Sequence, residues 1–156
     1  MNNPPKPAKI PLSQQALDSK KAELVRLMKL KKEILDRLVV AREMGDLSEN
    51  GAYKAAKFEL GGVRRQLRQL HYLLANAYVP KIDQSDLASF GKEVTLQNET
   101  HTLVFTLVGS YEADPEQMKF SLDSPIGQAV VGKKVGAEVL VSSPTGEVKY
   151  LLARLK

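Results

Sequence analysis

Asp46 and Glu49 are the residues of this 156-residue chain whose types and spacing point most directly to chemistry. They are two carboxylates three positions apart, inside Gly45-Asp46-Leu47-Ser48-Glu49-Asn50-Gly51-Ala52. Mg²⁺ takes octahedral oxygen coordination, usually from one or two carboxylates with water and phosphate supplying the rest. Phosphodiester cleavage commonly uses two such ions to clamp the attacking and leaving oxygens. Asp46 and Glu49 could supply two ligands. The segment has no His, and the nearest other acid is Glu43, one turn earlier. Such a site is incomplete alone, so a partner must finish it and the chain by itself is not expected to be a nuclease. The same pair also has a purely structural reading. Asp46-x-x-Glu49 has the spacing of a capping box, and acids at a helix N-terminus are favoured by the helix dipole. Both readings stand on spacing alone.

Two helices must position this segment. After it, Tyr53, Ala56, Leu60, Val63, Leu67, Leu70, Leu74 and Ala77 alternate in steps of three and four, the seam of a coiled coil. Before it, Leu17, Leu24, Leu27, Ile34, Leu38 and Ala41 keep the same repeat, with Lys20 and Lys31 where apolar residues are expected. Ser13 can cap the first helix, which then runs to about Met44, roughly 48 Å of rod. The second is expected from Ser48 or Glu49 to Ala77. A bend this short makes the helices antiparallel neighbours. Gly61-Gly62 inside the second helix costs about 1 kcal/mol per glycine relative to alanine. It implies close approach of another backbone or a local bend.

The remainder has a different period. Val79 to Asp86 reads as a linker broken by Pro80. Val94–Leu96, Thr102–Val108, Met118–Leu122, Glu138–Ser142 and Val148–Arg154 are β-rich runs. A serine cap at Ser124, Pro125 at the first helical position and Gly132 after the end mark one short helix. The expected architecture is α+β. A lead-in at 1–11 is disordered, an antiparallel coiled-coil hairpin at 12–78 carries its acidic tip at 45–52, a linker spans 79–86, and a small antiparallel β domain with one short helix occupies 87–156.

Charge is unevenly placed. Residues 13–78 carry 13 Lys and Arg against 8 Asp and Glu, whereas residues 79–156 carry 8 against 10. A basic helical segment suggests nucleic-acid phosphates as neighbours, with a solvated Lys-rich surface as the alternative. The absence of cysteine excludes disulfides and thiolate metal sites and favours a reducing compartment. No apolar run approaches the roughly 20 residues of a membrane span, and Met1 to Pro7 lacks the apolar core of a signal peptide. A cytoplasmic monomer with no membrane partner is expected.

The run Ala41-Arg42-Glu43-Met44-Gly45-Asp46-Leu47-Ser48-Glu49-Asn50, followed by Tyr53 and Ala55-Ala56-Lys57, resembles the tip of the bacterial transcript cleavage factors GreA and GreB. Val108-Gly109-Ser110-Tyr111-Glu112-Ala113-Asp114-Pro115, Ser124-Pro125-Ile126-Gly127, Val131-Gly132-Lys133-Lys134-Val135-Gly136 and Pro144-Thr145-Gly146-Glu147 resemble that family's C-terminal domain, in order. The likeness covers about residues 12–156. It implies that the C-terminal domain is FKBP-like and docks on bacterial RNA polymerase at the rim of its secondary channel. The hairpin would enter the channel and stimulate cleavage of the nascent RNA 3′ end extruded from a backtracked complex. Asp46 and Glu49 would be the functional pair, holding a Mg²⁺ shared with the polymerase and orienting the attacking water. No stably bound cofactor is implied for the chain alone. Where the family usually has Ala followed by Glu or Asp before the tyrosine, this chain has Gly51-Ala52-Tyr53, so one acid beside the tip is missing.

Other residues have expected roles beside the resemblance, with a solvated basic face as the alternative for the basic stripe and a core position as the alternative for Tyr53. Arg42, Tyr53, Lys54, Lys57, Arg64 and Arg68 are candidates for RNA contact, the last four as a basic stripe that touches phosphates without reading sequence. With only His71 interleaved, base stacking is not indicated. Ser124, Pro125, Ile126 and Gly127 are candidates for polymerase contact. Three alternatives compete: a factor of the same fold that occupies the channel with weak or no cleavage stimulation, a prolyl isomerase built on the FKBP-like domain, and a purely structural coiled coil.

Overall fold

The computed structural model describes residues 9–44, 50–81, 83, 85–143 and 146–156. The chain divides into two compact units, one of Leu17–Ala77 and one that joins Lys9–Ala16 to Tyr78–Lys156. The helical unit contains α1, Gln14–Glu43, from Leu17 onward, and α2, Gly51–Asn76. Ser13 caps α1 as expected: its Oγ accepts from the Ala16 N–H at 3.1 Å.

The heptad pattern is realised as a seam. Leu27, Ile34 and Ala41 are buried on α1, seven residues apart, and the other expected seam leucines, Leu17, Leu24 and Leu38, are half-buried. On α2 the buried set is Ala56, Leu60, Val63, Leu67, Leu70 and Leu73. The last step differs from the expected one, because Leu73 is buried and Leu74 only half so. Lys20 and Lys31 do occupy seam positions. Both are half-buried, and Lys20 pairs with Glu23 at 2.9 Å. Arg37 reaches across the hairpin to Glu59 at 2.7 Å. Both partners are exposed, so the pair contributes only up to about 1 kcal/mol.

The second unit is a five-stranded sheet in the order β5-β4-β3-β7-β6. Its strands are β3 Glu93–Gln97, β4 Thr102–Val108, β5 Lys119–Ser121, β6 Glu138–Ser143 and β7 Gly146–Leu155. Three pairings are antiparallel, whereas β4 and β5 run parallel. The connection between them allows this. It contains a 3₁₀ turn, Pro115–Gln117, whose Asp114 cap accepts from the Glu116 and Gln117 N–H groups. Met118 then turns the chain with a left-handed φ of 54°. Val94, Leu96, Phe105, Leu107, Val130, Val139 and Leu152 form the core, and Phe105 meets Phe120 edge to face at 5.2 Å. Burial of each such side chain contributes roughly 1.5–3 kcal/mol. The α3 helix, Pro125–Val130, covers this core with Val130.

The expected disordered lead-in is corrected at its end. Ile10–Pro11 form β1, which pairs with β2, Ala77–Tyr78, and Leu12 is fully buried. The earlier part of that lead-in, residues 1–8, lies outside the described residues. The expected linker holds some order of its own. Asp83 accepts from the Ser85 hydroxyl at 2.6 Å and from the Ser85 N–H at 2.9 Å, which holds its carboxyl below the usual carboxylate range. Lys92, buried, donates to the Leu87 carbonyl at 2.8 Å and also to that of Ser85, tying this segment to the start of β3. Among the described residues no helix is long and apolar enough to cross a membrane.

Candidate functional site

Among the described residues, one side chain bonds to both helix ends. Asn50, in extended conformation, is the N-cap of α2. Its Oδ1 accepts from the Tyr53 N–H at 3.0 Å, satisfying one of the free donors of the first turn. Its Nδ2 donates to the Ala41 carbonyl in the last turn of α1 at 2.7 Å, and the Met44 N–H approaches the same oxygen at 3.4 Å. One amide thus ties the last turn of α1 to the first turn of α2. The expected start of α2 at Ser48 or Glu49 is corrected to Gly51. Asp46 and Glu49 fall in the 45–49 segment, outside the described residues. Among the described residues no group of three His, Asp or Glu side chains could hold a metal ion.

The basic stripe lies on an exposed face. Lys54, Lys57, Arg64 and Arg68 are all exposed, as is Arg42 in the last turn of α1, where its charge complements the helix dipole. Tyr53 is half-buried beside the seam. The α2 sequence contains one acid, Glu59, and Arg37 already engages it. Net positive potential on this helix is therefore not cancelled locally. An aromatic that the sequence reading passed over, Phe58, is 81% exposed on the same helix. Placing it on the helical wheel four residues after Lys54 would have revealed it.

In the sheet unit, Ser124 caps α3. Its Oγ accepts from the Gly127 N–H at 3.1 Å and donates to the Ser121 carbonyl at 2.6 Å. Gly127 is buried against backbone. A Cβ there would run into the Ser121 carbonyl oxygen and lie 2.9 Å from that of Leu122. Ile126 packs on the core, and Pro125 is exposed. Ser110 extends the corner, with its hydroxyl 2.9 Å from that of Ser121 and donating to Asp123. The four expected contact residues thus form one hydrogen-bonded corner with Pro125 at its surface.

Two family descriptions match nearly the whole chain. The N-terminal domain of transcription elongation factors covers residues 10–79, and the C-terminal domain of GreA/GreB covers residues 83–154. The chain belongs to the GreA/GreB family of transcription elongation factors. Among its relatives, transcription elongation factor GreA of Geobacillus kaustophilus is 38% identical over 153 residues, 94% of this chain and 96% of its own. The GreA of Bacillus cytotoxicus is 34% identical over 151 residues, with the same coverage. A solved structure of the GreA factor homolog Gfh1 of Thermus thermophilus covers 95% of this chain and 99% of its own at 22% identity and a TM-score of 0.45.

Within this GreA/GreB chain, sequence and structure meet unevenly. The sequence picks out the acidic pair and the basic stripe. It does not pick out Asn50, although Asn50 stands inside the family's tip motif. The available signal was the Asn-x-x-Tyr spacing, which offers a side-chain oxygen to the Tyr53 N–H.

Proposed function

We propose that this elongation factor binds bacterial RNA polymerase through its sheet unit and inserts its hairpin into the secondary channel. There it stimulates the polymerase's own endonucleolytic cleavage of the RNA 3′ end in backtracked, arrested complexes. The observation that carries this reading is the cap of α2. Asn50 fills that position, so Asp46 and Glu49 are not needed as the helix N-cap and are available for another task. Their donor set fits Mg²⁺: two hard carboxylates, fewer than the ion's six positions, with the rest left to water, phosphate and the polymerase. Mg²⁺ bound there would supply charge stabilisation and an activated water. The chain's own residues would hold the ligand geometry, and the factor acts as a stimulator, not a nuclease. Arg42, Tyr53, Lys54, Lys57, Arg64 and Arg68 would guide the extruded RNA by contact with its backbone. Pro125, held by Ser124, Ile126 and Gly127, would contribute to polymerase docking.

The test is cleavage of a stalled, backtracked complex by Asp46→Asn and Glu49→Gln proteins at equal occupancy and limiting Mg²⁺. The amides keep size, but an amide is a far poorer ligand for a hard cation. Loss on the order of 10²-fold or more in stimulated rate is expected, by analogy with other preorganised sites. Rates within a few-fold of wild type would make the pair structural. A second reading keeps the channel binding and drops the cleavage. Ala52 favours it, standing where the family usually has an acid. Wild-type protein that binds the polymerase yet leaves RNA length unchanged would decide for it.

A further inference from the structure

Scattered apolar residues on a protein surface are ordinary, but the surroundings of Phe58 are not. It is 81% exposed, the largest value among the exposed large hydrophobic residues described. It lies opposite the seam formed by Ala56, Leu60 and Val63. Its helical neighbours are Lys54 four residues before, Gly61 and Gly62 three and four after, and Arg65 seven after. Lys54 and Arg65 are exposed, and no ion pair engages either among the described residues. The one acid of α2, Glu59, is turned to Arg37.

The two glycines sharpen the point. Each costs roughly 1 kcal/mol in a helix interior relative to alanine. A Cβ at either position would meet nothing within 4 Å, so packing does not require them. The helix runs unbroken through both, so they do not serve as a hinge. What they leave is bare backbone beside an exposed aromatic ring, flanked by cations. Single-stranded nucleic acid is bound by this combination of a ring on which a base can stack, positive charge along the backbone path and clearance for the sugar. An apolar protein pocket suits the ring but not its neighbours, since enclosing Phe58 would also strip water from Lys54 and Arg65.

We propose that Phe58 is a base-stacking residue, and that Lys54, Phe58, Gly61, Gly62 and Arg65 form a sequence-tolerant site for single-stranded RNA on the outer face of α2. This deepens the reading above, on which it rests, by naming what in the extruded transcript the hairpin holds: a base face as well as phosphates. It also replaces the expectation that stacking plays no part.

The first experiment needs no polymerase. The full chain is titrated with an unstructured oligoadenylate at low salt, with an RNA duplex as the control in which base faces are unavailable. Phe58→Ala should weaken oligoadenylate binding roughly tenfold and leave duplex binding unchanged. Phe58→Trp should bind as wild type does, and Phe58→Leu should lose as much as Phe58→Ala, because bulk without a π face cannot stack. All four proteins should melt alike, since Phe58 is exposed. Raising salt should weaken every variant through the phosphate contacts, while the affinity ratio between wild type and Phe58→Ala persists. Equal oligoadenylate binding by wild type and Phe58→Ala overturns the proposal, as does no binding by wild type. A second experiment compares polymerase complexes with and without extruded RNA. The Phe58→Ala defect should appear only with extruded RNA. An equal defect without it, retained by Phe58→Trp and rescued by Phe58→Leu, would assign the ring to a protein pocket instead. Cleavage stimulation is read separately, so failure of the factor to stimulate cleavage and failure of Phe58 to bind RNA are distinct results.

Discussion

At the scale of single residues, Asn50 does two jobs that substitution can separate. Its Oδ1 caps α2, and its Nδ2 satisfies the Ala41 carbonyl of α1. Asp caps a helix about as well as Asn but offers no donor when ionised. Asn50→Asp should therefore keep the cap and lose the bridge, costing about 1 kcal/mol of hairpin stability. Asn50→Ala loses both and should cost about 2 kcal/mol. Thermal melting followed by helical circular dichroism checks the order. Equal melting of the Asp and Ala proteins would show that the bridge to Ala41 contributes nothing. The role of Asn50 was not legible because Asp46, Ser48 and Asn50 all suit an N-cap and stand within five residues of each other. Local propensity cannot choose among them; the tertiary hydrogen bond to Ala41 does. Asp46 and Glu49 stand out in the sequence as two carboxylates between two heptad runs, and they lie outside the described residues.

At the scale of elements, two kinds of glycine predict opposite outcomes. Gly61 and Gly62 face open space, so Gly61→Ala and Gly62→Ala should each stabilise the hairpin by about 1 kcal/mol through helix propensity. Gly127 faces carbonyl oxygens of Ser121 and Leu122, so Gly127→Ala must move backbone and should destabilise the sheet unit by about 2 kcal/mol or more. Denaturant melts of the three proteins read both signs directly; stabilisation by Gly127→Ala would show that the α3 corner yields. The sequence carried the elements themselves well, because heptad spacing and strand alternation are local signals. It carried their detail less well. Leu73 and Leu74 both fit a stripe that steps by three or four, so periodicity alone cannot say which one is buried. The parallel pairing of β5 with β4 was hidden for a related reason: alternation reports which face a residue takes, not the direction in which a strand runs.

At the scale of the whole chain, charge and chemistry are divided between units. The basic heptad segment carries the acidic pair and the exposed cations of α2, while the C-terminal half is mildly acidic and carries the Ser124–Gly127 corner. That second unit is not contiguous in sequence. It takes Lys9–Ala16 from the far side of the hairpin, with Leu12 fully buried and the Ser13 N–H donating to Glu112 at 2.7 Å. A sequence read along its length places a boundary at the linker and misses this return, since the pairing of Leu12 with Tyr78 spans the entire hairpin. The proposed division, with anchoring in one unit and action in the other, has a kinetic consequence. If the tip only directs chemistry, neutralising it must leave affinity for the polymerase intact. The doubly substituted Asp46→Asn, Glu49→Gln protein should then behave as a competitive inhibitor of the wild-type factor. Its inhibition constant should match the wild-type dissociation constant to within about twofold, because losing an interaction made only in the transition state lowers the rate without touching ground-state binding. The measurement is stimulated cleavage at fixed wild-type factor against rising concentrations of the doubly substituted one. Failure to compete would mean that Asp46 and Glu49 hold the factor on the polymerase, and the division of labour between the two units would fall with it.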